Sequence, residues 1–176
     1  MIKSSGFSVP ETLLVLVLLA ILAIVITPAY VNYIQQYRLT SASESLYDDI
    51  NLARSQAVKQ ASNVVLSIQT GSGWCYGLTV SANCDCNSGS NCELGHITSA
   101  EFPNTSLAVS AGFQTQGSPV SKTLSFDSTR GIPASAYVPG TVTISSTVTG
   151  ETITVSVNTL GTPKICSSTV GGYASC

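Results

Sequence analysis

From Val9 to Thr27 the chain reads V-P-E-T-L-L-V-L-V-L-L-A-I-L-A-I-V-I-T, close to the roughly 20 apolar residues that carry an α-helix across a bilayer. Beyond Pro28 the pattern changes. Apolar or small residues recur at Ile34, Leu39, Ala42, Leu46, Ile50, Ala53 and Ala57, while Ser43, Glu44, Asp48, Asn51 and Ser55 fall elsewhere. Intervals of three and four mark one helical face, so an amphipathic helix is predicted to about Gln60, with its stripe laid on a folded head.

Further along, the period shortens to two. Asn63 to Gln69, Trp74 to Val80, Lys122 to Phe126, Thr141 to Val148 and Thr152 to Val157 read as strands, bounded by turn residues. Gly150 separates the last two, which form a hairpin. In that pair Val142, Ile144, Ile153, Val155 and Val157 alternate with Thr and Ser, placing the apolar side chains on one sheet face, against the helix. Ser81 to Gly117 is rich in Asn, Ser and Gly and reads as a long loop region stapled by cysteines. The predicted class is α+β: a long N-terminal helix, its first half transmembrane, packed on an antiparallel β-sheet head.

Length and composition narrow this. The 176 residues suffice for one head domain plus one extended element, and not for two ordinary domains with separate large cores. Only 9% of residues are charged, the net charge is -2, and the seven basic residues are scattered from Lys3 to Lys164. No basic run exists to concentrate the chain on a polyanion.

All six cysteines, Cys75, Cys84, Cys86, Cys92, Cys166 and Cys176, lie downstream of the apolar run. An even number in polar, turn-rich surroundings implies disulfides, and disulfides persist outside the cytosol. Lys3 precedes the apolar run, so the positive-inside tendency leaves Met1 in the cytoplasm and sends the head outward, in agreement with the cysteines. A cleaved secretory signal would have a shorter apolar core and a small-residue cleavage site. Here Ile24 to Ile26 continue the run past Ala20 and Ala23. Cys166 and Cys176 are expected to close a short C-terminal loop; for Cys75, Cys84, Cys86 and Cys92 three connectivities remain open. Tyr30, Tyr33 and Tyr37 lie near the expected membrane exit, suited equally to the bilayer interface and to packing on neighbouring helices.

Glu11 is the odd residue of the run, because a carboxylate within a membrane helix costs about 2.5 kcal/mol or more at mid-bilayer unless paired or near the interface. It either reaches the headgroups from the helix end or meets a positive charge on another subunit. Here a resemblance helps. Gly6-Phe7-Ser8-Val9-Pro10-Glu11 ahead of the apolar run resembles the class III leader of type IV pilins and type II secretion pseudopilins. That resemblance implies cleavage after Gly6 by a membrane-embedded prepilin peptidase, N-methylation of Phe7, and subunit assembly through Glu11, which pairs with the N-terminal amine of an adjoining subunit. Residues 1–6 are then the leader, 7–28 the transmembrane and assembly helix, and 29–176 the periplasmic head with the amphipathic half of the helix. Pro28 resembles a family proline that kinks the first helix, where the missing N–H and ring clash loosen it. Pro10 is tolerated within the first turn.

Leu52-Ala53-Arg54-Ser55-Gln56-Ala57-Val58, the Gly73-Trp74-Cys75-Tyr76-Gly77-Leu78 strand, Phe126-Asp127 with Arg130-Gly131, and Leu160-Gly161 are similar to segments of the GspH/FimT/FimU branch of minor pilins. The implied protein is held in the inner membrane with its head in the periplasm, then moves to the pilus and cell surface. Its implied partners are other minor and major pilins. Its role is pilus assembly initiation in a tip complex, and through that adhesion, twitching motility or DNA uptake. The implied alternatives are a GspH-like pseudopilin of type II secretion and a FimT-like DNA-binding pilin for natural transformation.

Chemistry of other kinds finds little support. Cys84-Asp85-Cys86, Cys92 and His96 lack the paired C-x2-4-C knuckles typical of zinc, so no metal or other cofactor is expected. One His and scattered carboxylates make no nucleophile, base and orienting-acid set, so no enzyme is expected. FimT-like members grip phosphate with a C-terminal G-R-x-R segment; the corresponding Gly161-Thr162-Pro163-Lys164 keeps one cation and lacks the planar forks of arginine. Any DNA contact is expected to be weak and to run through Lys164.

Overall fold

The computed structural model describes residues 8–80, 84–110, 112–116, 121–134 and 139–176, the side chains of residues 25–28 excepted. The chain divides into two compact units, Met1–Ile34 and Gln35–Cys176. One helix, α1 (Val9–Lys59), has residues in both. In the first unit the large side chains from Leu13 to Leu22 are all exposed. This helix contains a window long and apolar enough to cross a membrane.

In the second unit α1 behaves differently. Leu39, Ala42, Leu46, Ile50, Ala53 and Ala57 are fully buried in one cluster with residues from the strands. These are the residues of the predicted stripe from Leu39 onward; its first member, Ile34, is half-buried and belongs to the first unit. Spacing of three and four keeps them on one side of a 3.6-residue turn. The helix ends at Lys59, where Ala61 takes a positive φ of 48° and the Ser62 amide reaches the Ala57 carbonyl at 3.2 Å.

Among the described residues nine strands follow: β1 (Val64–Gln69), β2 (Cys75–Thr79), β3 (Gly95–Thr98), β4 (Thr105–Val109), β5 (Gln114–Gln116), β6 (Ser121–Phe126), β7 (Gly140–Ser146), β8 (Thr152–Val157) and β9 (Pro163–Cys166). They form two antiparallel sheets, ordered β3-β2-β1-β6-β5 and β4-β7-β8-β9. The β7–β8 hairpin is present in the predicted place, with Val142 opposite Val155 and Ile144 opposite Ile153. Gly150 turns it at φ 72°, a backbone region that glycine enters at little cost.

The head is antiparallel as expected, divided into two sheets. One expectation needs correction: the stretch from Ser81 to Gly117, expected as a loop region, holds β3, β4 and β5. All three are short and lie at sheet edges, β3 and β5 are largely polar and β4 buries a single leucine, Leu107, so they carry little of the period-two signal of a buried strand. Their order comes from backbone pairing with longer partners. β3 lies along β2, β4 along β7, and Gly71 exchanges backbone bonds with Leu107 at 2.9 and 3.2 Å. β9 was likewise not predicted; Pro163 and Lys164 in it are typical of a sheet edge.

Candidate assembly site and the fittings of the head

Glu11 sits in the first turn of α1 and is exposed, as are the apolar residues around it. The Ser8 carbonyl accepts from the Glu11 and Thr12 amides at 3.1 and 3.2 Å, so Ser8 starts the helix and the carboxylate lies where the helix dipole favours a negative charge. The dipole alone lowers its cost without neutralising it. Gly6 and Phe7, the expected cleavage and methylation positions, lie outside the described residues. So does the side chain of Pro28, through which the helical assignment continues.

On the head, segments far apart in sequence meet. Arg54 Nε donates to the Gly131 carbonyl at 3.1 Å. Gly131 has φ +62°, and a Cβ there would lie 3.0 Å from Val58 Cγ2 and 3.1 Å from the Arg54 carbonyl. The turn delivering Gly131 is built by Asp127, whose carboxylate accepts from the Thr129 and Arg130 amides at 2.7 and 3.1 Å and from the Thr129 hydroxyl. Those bonds hold the Asp127 carboxyl below its ordinary pKa. Leu-x-Arg-Ser on the helix and Phe-Asp-x-x-Arg-Gly after β6 are therefore two halves of one joint. Gly161 completes the neighbourhood: a Cβ there would meet Pro133 Cδ at 2.8 Å and Phe126 Cε1 at 2.9 Å.

Two tyrosines fasten other parts of the head to α1. Tyr76, on β2, donates to Asp49 Oδ2 at 2.9 Å, and Tyr173, in the C-terminal tail, donates to Glu44 Oε1 at 2.9 Å. Burial pushes the Tyr76 hydroxyl pKa upward, and the neighbouring carboxylates add to this. Burial also raises the Asp49 pKa, against the hydrogen bond from Tyr76, which lowers it. Trp74 stacks between Tyr76 and Phe102 with ring centroids 6.2 and 6.3 Å apart, and its indole N–H donates to Thr105 Oγ1 at 3.0 Å.

The structure joins Cys166 to Cys176, and of the three connectivities left open it forms Cys75–Cys86 and Cys84–Cys92. The latter two pack as one apolar cluster on β2. Gly77 is the reason they fit, since a Cβ there would lie 2.9 Å from Cys92 Sγ and overlap Cys84 Sγ. His96 packs its ring over Gly89, and no His, Cys, Asp and Glu grouping fit for a metal occurs among the described residues.

Lys164 is exposed on β9, opposite Ser156. Lys122 lies in the other sheet and donates to Thr115 at 2.8 Å. A lone cation at a sheet edge offers one phosphate contact, whereas electrostatic DNA binding draws on several.

The profile of one family, described as "Type II transport protein GspH", matches residues 42–161. The chain belongs to the GspH family. No curated protein matches it. Among solved structures, type IV minor pilin FimU of Pseudomonas aeruginosa strain PAO1 is similar in two crystal forms. Identity is 20% and 21%, TM-score 0.54 and 0.51, covering 76% and 72% of this chain and 91% of FimU in each. The minor pseudopilin EpsH from the Type 2 Secretion System of Vibrio cholerae is similar at 14% identity and TM-score 0.52, covering 74% of this chain and 97% of EpsH. The fold is that of type IV pilins. The family match runs from Ala42 to Gly161, so it contains both halves of the Arg54–Gly131 joint and ends at the glycine seated on Phe126. The contact between the halves was not legible in the sequence, although each half was; its only trace was a glycine beside a turn-forming Asp.

Proposed function

We propose that this chain is a minor pilin of a type IV pilus, acting in assembly rather than catalysis. The first half of α1 holds it in the inner membrane with the head in the periplasm. Prepilin peptidase cuts after Gly6, Phe7 is methylated, and the mature chain joins other minor and major pilins in the tip complex that initiates polymerisation. Adhesion, twitching motility or DNA uptake then depend on the pilus so formed. The observation carrying this is a helix that holds Glu11 in its first turn, exposes its large apolar side chains from Leu13 to Leu22 and continues into a pilin-fold head. Such a helix needs an apolar surrounding, and in it Glu11 needs a cation. The amine of a neighbouring mature chain supplies one, and the attraction strengthens as the dielectric constant falls.

Glu11→Ala tests the mechanism. Incorporation into sheared pili should fall by at least tenfold, while the head, 24 residues or more along the chain, keeps its near-ultraviolet circular dichroism, because Glu11 belongs to the other unit. Unchanged incorporation would remove the role of Glu11. A second reading, a pseudopilin of type II secretion, is favoured by the family description and by the likeness to EpsH. Deleting the gene and scoring piliation and secretion side by side separates the two.

A further inference from the structure

The four cysteines around β2 are joined out of order. Cys75 pairs with the third of them, Cys86, and Cys84 with the fourth, Cys92, so the two bridges interlace. Pairing neighbours instead, Cys75 with Cys84 and Cys86 with Cys92, would span separations of nine and six residues, against 11 and 8 in the fold. The remaining pairing would have to bridge Cys84 and Cys86 across Asp85 alone. Cys166 and Cys176, at the end of the chain, pair in order.

Resting on the periplasmic head of the reading above, that order matters. A head exported behind α1 presents Cys75 first, then Cys84, then Cys86 and Cys92. In an oxidising compartment an oxidant meets Cys75 and Cys84 before Cys86 has emerged, and shorter loops cost less entropy to close. Both effects drive the unfolded chain to the consecutive pairs. The folded head cannot correct them unaided. Its four sulfurs lie in one cluster where Cys75, Cys84 and Cys86 are buried, and the missing side chain of Gly77 lets Cys84 and Cys92 sit on β2. With all six cysteines in bridges, the oxidised chain holds no thiolate of its own to begin an exchange.

We infer that this chain is a substrate of a periplasmic disulfide isomerase, an enzyme bearing a reactive thiolate, which converts the consecutive pairs into the interlaced ones before the sulfurs are buried. The isomerase thiolate attacks Cys84 Sγ of the Cys75–Cys84 bridge, forming a mixed disulfide and releasing Cys75 as a thiolate. Cys75 attacks Cys86 Sγ, making the native bridge and releasing Cys92. Cys92 attacks Cys84 Sγ and expels the isomerase thiolate. Each S–S bond broken is matched by one formed, no electrons are gained or lost, and the enzyme is returned unchanged.

The test exports the full chain in a bacterium with its periplasmic disulfide isomerase intact or deleted. Free thiols are blocked in acid, and the denatured protein is cut on the N-terminal side of aspartate. Cutting between Cys84 and Asp85 divides this region into Asp49–Cys84 and Asp85–Phe126. Interlaced bridges hold the two fragments together, whereas consecutive bridges leave each closed on itself, so mass before reduction reads the pairing. Tandem fragmentation of the joined species places Cys75 on Cys86. Joined fragments should dominate with the isomerase and fall at least threefold without it. In Cys84→Ser with Cys92→Ser, Cys75 and Cys86 have no other neighbour to pair with, and joined fragments should form equally in both hosts. The inference is overturned if wild type joins equally without the isomerase, if its fragments separate with the isomerase present, or if the double variant loses as much as wild type. Cysteines left reduced in both hosts would overturn the periplasmic placement too, whereas native bridges formed without the isomerase would leave that placement standing.

Discussion

The two units solve the problem of apolar surface in opposite ways. In the first, large side chains from Leu13 to Leu22 are exposed along α1; in the second, the same helix turns every residue of its stripe into a core shared with two sheets. Exposed leucine and isoleucine in such numbers cannot be stabilised by water. The first unit therefore depends on something outside the chain, a bilayer or other helices, while the head carries its stabilisation within itself. Glu11, the carboxylate proposed for assembly, sits in the dependent unit, and the folded core sits in the self-sufficient one. Substitutions in the head should then change folding and leave membrane attachment alone.

The largest effect is expected at Phe126, fully buried on β6 where its ring meets Gly161. Phe126→Ala should cost the head about 3–5 kcal/mol, read as a lower denaturant midpoint by tryptophan fluorescence of Trp74. The protein should still sediment with membranes. If the variant leaves the membrane fraction, the independence of the two units is broken.

A smaller cost is expected at the joint between α1 and the turn after β6. Gly131→Ala puts a side chain at φ +62° and within 3.1 Å of the Arg54 carbonyl, at a cost of about 1–3 kcal/mol. Serine or alanine at Gly150 makes a useful contrast, since a Cβ there meets nothing within 4 Å and only the backbone strain remains. Equal losses at the two positions would show that the joint contributes no packing of its own.

How much of this was legible depended on the reach of each interaction. The stripe from Leu39 to Ala57 and the Val142 to Val157 hairpin are local patterns, set by helix and strand periods within a few residues, and both stand where the pattern put them. β3, β4 and β5 were hidden because short edge strands such as Gly-His-Ile-Thr are ordered by the backbone of a partner strand, which leaves no side-chain rhythm. The second sheet was hidden for the same reason: β4 reaches β7 across more than thirty residues of intervening chain. The pairing of Cys75 with Cys86 and Cys84 with Cys92 needed Gly77 beside the sulfurs, a spatial fact with no sequence period. At the assembly site the apolar run and Glu11 were plain, whereas Arg54 and Gly131 were recognisable separately and joined only in space.

The smallest effect is also the most specific to the helix–sheet boundary. Asp49 ties α1 to Tyr76, yet burial raises its pKa above the ordinary carboxylate value more than the hydrogen bond lowers it, with Asp48 adding to the rise. A carboxyl that holds its proton more tightly folded than unfolded weakens the fold when ionised. Its cost appears as pH rises through the unfolded value and is complete above the raised folded value; acidification through that window removes it. Asp85 and Asp127 act the other way: their lowered values give stability above the unfolded pKa, lost as pH falls through the folded one. Asp49→Asn keeps an acceptor for the Tyr76 hydroxyl and removes the ionisation. The variant should match or slightly exceed wild type in denaturant midpoint at pH 7, and any advantage should vanish near pH 3, where wild-type Asp49 is itself neutral. An advantage that instead grew on acidification would mean that the charged Asp49–Tyr76 bond strengthens the seam between helix and sheet, and that the head gains from the one charge it half buries there.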